Sequence, residues 1–349
     1  MEAMQKEVVI ASADKSVINT IYFGGGTPSL LTATEIKKLM EVVRLHFDIS
    51  SDAEITLEAN PDDIAEQKLI QWKEAGINRL SIGVQSFKDA DLVWMNRAHT
   101  AGQALQCIEL VKEVGFTNFS VDLIYGTPTL SDDEWEKNVD TIVQLGVPHI
   151  SCYALTVEPG TALQKMITLH KKEAVDTEKQ AAHFFLLMDW LVAAGYEHYE
   201  ISNFAKPGFR SQHNSSYWQG TNYIGIGPSA HSYNGHSRRW NVSNNALYIQ
   251  ALKKGSIPFE IEKLTDVQRL NEYIMTSLRT IEGINLDFVQ RYFGEEKKKE
   301  LQNVSDQFIA NGKLQNSHHR LVLTNAGKLF ADGITAELFF EEGRVTIIV

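Results

Sequence analysis

Three consecutive glycines, Gly24, Gly25 and Gly26, follow the apolar run Ile18-Asn19-Thr20-Ile21-Tyr22-Phe23 and lead into Thr27 and Pro28. Lacking Cβ atoms, they let the backbone turn sharply and let a ligand approach bare N–H and C=O groups. Pro28 pushes Thr27 out of the helical region. No Gly-Lys-Ser/Thr follows, so this is not a phosphate-binding P-loop. Polar residues recur at or near the ends of later apolar runs: Glu58, Gln85 and Asp122. In a parallel barrel such positions converge on one mouth. Taken singly, each is also an ordinary cap or turn residue, and the glycines an ordinary strand–helix loop. A second group is His213-Asn214-Ser215-Ser216-Tyr217-Trp218. A neutral imidazole can ligate a metal, and Tyr and Trp offer flat apolar faces. A surface loop with packed aromatics is the simpler reading of that stretch alone.

The elements that must position these residues are legible from pattern. Strands are expected at 18–23, 54–61, 79–85, 119–126 and 149–155, each short and apolar. Helices alternate with them. Thr32 with Glu35 and Ser131 with Glu134 form capping boxes. Gly76, Gly115 and Gly146 stand where helices 63–75, 101–113 and 131–145 should close. Right-handed crossovers then give a parallel sheet, and the polar strand ends favour a partial (β/α) barrel over an open two-faced sheet. Residues 1–16 carry little pattern beyond the end of a helix. The stretch 171–194 reads as one long helix and 196–201 as a strand. Residues 202–245 are rich in Gly, Asn, Ser, His and Tyr, and loops that long are usually functional. Helices are expected at 266–279, 285–293 and 297–310, then a hairpin through Leu314 and 320–323, then a helix over 324–330. That last region resembles a winged-helix module, read as packing or partner contact. The chain thus divides into a partial barrel over 1–165, a region over 166–260 that completes it, and a helical plus hairpin domain over 261–349.

Composition narrows the class. The 349 residues carry a net charge of −11, which argues against general binding to nucleic acid or acidic membranes. The hydrophobic share of 43% is enough for a sizeable core. The N-terminus has no basic segment followed by an apolar run, and no uncharged apolar stretch of about 18 residues occurs. The two cysteines, Cys107 and Cys152, fall in apolar patterns and form no CxxC. The expected compartment is the cytoplasm.

These blocks resemble a family. Ile21 through Leu30, Leu57-Glu58-Ala59-Asn60-Pro61, Ser81 through Phe87 and Val121 through Gly126 are similar to the radical S-adenosylmethionine proteins. More narrowly they resemble the oxygen-independent coproporphyrinogen III oxidase-like branch and its HemW type. Glu158-Pro159-Gly160-Thr161, Tyr199 through Ala205, the HNxxYW stretch at His213, and Gly225 through Tyr233 continue the match over nearly the whole chain.

The resemblance implies a partial (β/α) barrel holding S-adenosylmethionine at its mouth. Gly25, Gly26 and Thr27 would contact the methionyl end through backbone groups. Glu58, Gln85 and Asp122 would bind polar parts of the nucleoside, and Arg97 would pair with the methionyl carboxylate. In HemW-type proteins the HNxxYW pattern is associated with haem, which makes His213 a candidate iron ligand. His231 is either a ligand contact or a structural histidine. The implied partners are haem or a porphyrin and a haem-acceptor protein, with no nucleic acid and no integral membrane segment.

One departure is large. The family's CxxxCxxC motif, whose thiolates hold a [4Fe–4S] cluster, is not in this sequence. On this resemblance the sequence begins within the helix after the cluster loop. A truncated sequence fits that better than a cluster-less relative, because the downstream binding residues are intact. As given, the chain is not expected to hold the cluster or to make the 5′-deoxyadenosyl radical, so whether it acts as an enzyme stays open. Strand 18–23 would become an exposed sheet edge. The function implied is that of a haem chaperone. The alternative is coproporphyrinogen III oxidation in porphyrin biosynthesis, by radical decarboxylation of propionates. HNxxYW separates the two, since the oxidase branch is not expected to carry it. A barrel enzyme acting on a phosphorylated metabolite is a third class, disfavoured by the missing phosphate loop.

Overall fold

Alternation along the strands, more than their apolar content, shapes the central sheet. The computed structural model describes residues 1–12 and 17–341. They fall in two compact units, one made of residues 19–37 and 52–211 and the other of the remaining described residues. Residues 13–16, part of the uninformative start, lie outside the described residues.

Seven strands form the main sheet: β1 (Val17–Phe23), β2 (Asp48–Ala59), β3 (Arg79–Gln85), β4 (Phe119–Tyr125), β5 (His149–Ala154), β6 (Glu197–Glu200) and β7 (Asn203–Ala205). Their order is β1-β2-β3-β4-β5-β7-β6, which puts β1 at one edge. β2 through β5 run parallel. The sheet is not parallel throughout: β7 returns antiparallel to β5, and β6 pairs antiparallel with β7. The result is a partial (β/α) barrel extended by a hairpin.

The helices are α1 (Glu2–Ala11), α2 (Ala33–His46), α3 (Glu66–Ala75), α4 (Asp89–Trp94), α5 (Ala101–Glu113), α6 (Asp132–Gln144), α7 (Ala162–Thr168) and α8 (Thr177–Ala193). Both expected capping boxes form. The Glu35 N–H meets Thr32 Oγ1 at 3.3 Å, and the Glu134 N–H meets Ser131 Oγ at 3.4 Å. The helix expected over 171–194 is α8, and it starts only at Thr177 because the Asp176 carboxylate accepts from the Glu178 and Lys179 N–H groups there; α7 lies before the expected range.

Register separates the two faces of the sheet. On one face Leu57, Leu80 and Phe119 follow each other across strands, as do Ile82, Val121 and Ile150. All are buried. Tyr125 continues this face and meets Trp135 of α6 and Phe184 of α8, with ring centroids 5.8 and 6.2 Å away. The other face is polar. Glu58, Ser81, Ser120 and His149 form one cross-strand row, and Asp122, Ser151 and Asn203 the next. The short strands are therefore not apolar on both sides, as their composition implied.

Below these rows Arg79, only 1% exposed, faces Glu54 with Nε–Oε2 at 3.7 Å. His149 Nε2 lies 2.7 Å from the Tyr199 hydroxyl, and burial together with Arg79 holds its imidazole neutral.

In the second unit, β8 (His231–Tyr233), β9 (Ser237–Asn241) and β10 (Phe259–Lys263) make an antiparallel sheet beside α9 (Gln212–Trp218) and α10 (Asn245–Lys253). The C-terminal part follows the winged-helix expectation. Helices α11 (Asp266–Leu278), α12 (Leu286–Phe293) and α13 (Glu295–Ala310) accompany β11 (Ile284–Asn285), β12 (Leu314–Ser317) and β13 (Arg320–Leu323), in the order β11-β13-β12. The helix expected at 324–330 is the short α14 (Asn325–Lys328), and a further helix that the pattern did not mark, α15 (Ala331–Glu337), follows it. Among the described residues no helix is long and apolar enough to cross a membrane.

Arg79→Met leaves Glu54 buried without its cation. We expect urea unfolding to show a loss of about 3 kcal/mol or more, partly restored by adding Glu54→Gln.

Candidate functional site

The carboxyl ends of β1 to β4 bring the sequence-predicted barrel residues together. The glycine loop after β1 is held by Glu58. One oxygen accepts from the Tyr22 hydroxyl at 2.8 Å and the other from the Gly25 N–H at 3.2 Å. Gly25 and Gly26 sit at φ 76° and 65°, in the left-handed region that favours glycine. Beyond both lies open space, where a Cβ would meet nothing within 4 Å. Gly24 is different: a Cβ there would strike the Tyr22 ring at 2.5 Å. Thr27 precedes the short 3₁₀ turn Pro28–Leu30.

Arg97 comes from the segment after α4 and reaches back over the sheet. Its Nη2 donates to Asn60 Oδ1 and to the Gly83 carbonyl, both at 3.1 Å. Gly83 lies close under two of these side chains. A Cβ there would lie 2.9 Å from Gln85 Nε2 and 3.4 Å from Arg97 Nη2. Gln85 itself takes φ 71°, and the β3–β4 register shifts between Ile82 and Gln85. A non-glycine residue in that region is backbone strain of the kind found at ligand sites.

Asp91, which the sequence reading passed over, braces this rim. Its buried carboxylate accepts from the Ser86 hydroxyl at 2.8 Å and from the Thr129 hydroxyl at 2.5 Å. It thereby ties the loop after β3 to the loop after β4.

Asp122 sits in the polar row with its Oδ1 buried and without a hydrogen-bond partner. Burial raises its pKa to about 7, opposed by the Ser151 hydroxyl and by Arg79. Thr56 Oγ1, Arg79 Nη2, His149 Nδ1 and Asn203 Oδ1 are likewise buried without a hydrogen bond, while Arg79 Nε has only its ion pair with Glu54. They share the polar face, which makes it the part of the sheet with hydrogen-bonding capacity left over for water or a ligand.

Two cofactors are implied by the sequence resemblance. S-adenosylmethionine carries a sulfonium, an ammonium, a carboxylate and a ribose diol. The open space at Gly25 and Gly26, the unpartnered Asp122 oxygen and the Arg97 guanidinium fit such a ligand. A [4Fe–4S] cluster needs three thiolates. The residues present do not fit one: Cys107 and Cys152 are both buried in separate elements, and no metal-holding cluster of His, Cys, Asp or Glu occurs among the described residues.

The second group of predicted residues lies in the other unit. The HNxxYW stretch is the short helix α9, not a loop. The His213 and Tyr217 rings meet edge-on at 5.2 Å. Tyr217 continues to Tyr223 at 4.6 Å, and Tyr223 to Tyr233 at 6.0 Å. The backbones of Tyr223 and Tyr233 exchange hydrogen bonds, which places both rings on one face. Trp218 stacks under Arg279 at 5.2 Å. His231 lies against Trp240 on β9 at 6.2 Å. Tyr223 and Trp240 have no signal in the sequence: a backbone bridge sets Tyr223 against Tyr233, and the β8–β9 pairing sets Trp240 against His231.

Residues 1–142 match the Radical SAM superfamily, and residues 264–330 match the HemN C-terminal domain. A curated relative from Mycobacterium tuberculosis, the heme chaperone HemW, is 36% identical over 96% of this chain and 85% of its own length. The chain belongs to the HemW family. HemW relatives from Bacillus subtilis and Escherichia coli are each 33% identical, covering 96% and 95% of the chain and 89% and 87% of their own lengths. Among solved structures, the coproporphyrinogen III oxidase HemN from Escherichia coli aligns with a TM-score of 0.81 and 21% identity, over 97% of this chain and 82% of that one. That likeness shows the fold: a radical S-adenosylmethionine half-barrel with a C-terminal domain.

The raised pKa of Asp122 has a testable sign. Its folded-state value lies above the unfolded value, so its stabilisation is complete below about pH 4 and lost as pH rises through about 7. Asp122→Asn should therefore gain melting temperature relative to the parent HemW-family chain between pH 6 and 8, and the difference should vanish near pH 4. A pH-independent difference would contradict this assignment.

Proposed function

We propose that this chain is a haem chaperone, which binds haem and passes it to an acceptor protein. The observation that carries the reading is the run of rings built around the HNxxYW helix, in a chain whose relatives at 30–36% identity are named heme chaperones. A neutral His213 imidazole is a suitable iron ligand, and the tyrosines beside it offer faces for the porphyrin. Tyr217 is 42% exposed, so this edge of the run is open to a ligand. The likeness to coproporphyrinogen III oxidase carries the fold and does not favour the oxidase reaction.

The barrel residues are assigned to S-adenosylmethionine. When bound, it supplies a cationic sulfonium and an amino-acid end to the mouth. Gly25, Gly26 and Thr27 offer backbone groups to the methionyl end, with Glu58 fixing the loop. Arg97 takes the carboxylate, and Gln85 and Asp122 take polar groups of the nucleoside. The acceptor protein is to be sought among haem proteins of the same compartment, which we take to be the cytoplasm.

Haem titration under anaerobic conditions, followed by absorbance, tests the chaperone reading. The chain should give a saturable Soret shift that His213→Ala loses or weakens at least about tenfold. An identical titration in His213→Ala would reject His213 as the ligand, and no shift in either protein would reject haem binding by this chain. For the barrel, Gly83→Ala should displace Gln85 and Arg97 and weaken S-adenosylmethionine binding about tenfold in calorimetry, with little change in melting temperature. Unchanged affinity would remove Arg97 and Gln85 from the site.

A further inference from the structure

We infer that Glu7 is a positioning residue for the haem-binding face, an inference that rests on the haem reading above. Glu7 lies on α1, and its side chain is fully buried at 0% exposure. A carboxylate is tolerated in such a place only when hydrogen bonds replace its water. Three donors do so, and none is a cation. The Gly227 N–H meets Oε2 at 2.7 Å, Asn241 Nδ2 meets Oε1 at 2.6 Å, and the Tyr248 hydroxyl donates to Oε2.

These donors come from three segments: the loop before β8, the end of β9, and α10. The loop is the one that matters for the ligand. It joins Tyr223 to His231, and Gly227 within it takes φ 112°, a conformation open to glycine. Asn241, held by Glu7, also donates from Nδ2 to the Gly227 carbonyl at 2.8 Å, and its N–H reaches the Ala230 carbonyl at 3.0 Å. Gly225 packs so closely that a Cβ would lie 2.1 Å from the His231 carbonyl oxygen. Met4, one turn before Glu7, rests against Gly227, its Cε 3.5 Å from where a Cβ would stand.

The loop path therefore follows from the position of one carboxylate. That path delivers the chain from Tyr223 into β8, the strand that carries both His231, against Trp240, and Tyr233, against Tyr223. An apolar residue at this place would fill the space without orienting any of the three donors. A glutamine would present N–H groups to donors and leave one of them unmet.

The test is a ferric haem titration of the whole chain, with Glu7→Gln, Glu7→Asp and Tyr248→Phe beside the parent. Affinity, Soret position and melting temperature are read together. Glu7→Gln should bind haem about tenfold more weakly with a displaced Soret band, and Glu7→Asp should recover part of both. Tyr248→Phe, which removes one donor and leaves two, should shift in the same direction by about threefold. A Glu7→Gln protein with the parent's affinity and spectrum overturns the inference, even if its melting temperature falls. Should Glu7→Gln not fold, Tyr248→Phe decides alone, and parental affinity and spectrum there overturn it. A parent chain that takes up no haem overturns the underlying reading instead.

Discussion

A buried polar surface is stable only when its groups find partners. The main sheet carries such a surface along its whole inner face. Glu54, Thr56, Glu58, Arg79, Ser81, Ser120, Asp122, His149, Ser151 and Asn203 all sit on it, and several of their polar atoms meet nothing in the chain. The opposite face is an ordinary hydrophobic layer covered by helices. The fold is thus stabilised from one side of the sheet and left chemically unfinished on the other. That division explains why a radical S-adenosylmethionine half-barrel can be stable and still keep an interior for a ligand.

The rim is built from the same logic. The loops after β1 to β4 are held by a carboxylate or a guanidinium and not by apolar packing alone. Glu58 fixes the glycine loop, Asp91 joins the loops after β3 and β4, and Arg97 links Asn60 to Gly83. Charged hydrogen bonds are directional and strong, so they place backbone atoms where packing would allow drift. The same device recurs in the other unit, where Glu7 gathers three donors.

Much of this was legible in the sequence. The capping boxes at Thr32 and Ser131, the strand ends at Gln85 and Tyr125 and the glycine stops lie within a residue or two of expectation. Gly25, Glu58 and Gln85 lie at the carboxyl ends of β1 to β3, Asp122 lies in the body of β4, and Arg97 reaches Asn60 and Gly83 from the segment after α4. What was not legible depended on tertiary pairing. The strands looked uniformly apolar because Ser and Thr interrupt them lightly, although the interruptions fall every second residue and line one face. The antiparallel return of β7 has no local signature. Asp91 reads as a helix residue until Ser86 and Thr129 are seen around it. Tyr223, Tyr233 and Trp240 come from segments whose pairing no spacing rule anticipates.

A crystal structure of the chain grown with S-adenosylmethionine near pH 8, where Asp122 is ionised, tests the central claim that the inner face of the sheet is a ligand surface. The account predicts the ligand inside the half-barrel, with its donors on the Asp122 oxygen that has no partner in the chain and its carboxylate at Arg97. A ligand bound elsewhere, or an interior in which protein side chains close on Asp122, would contradict it.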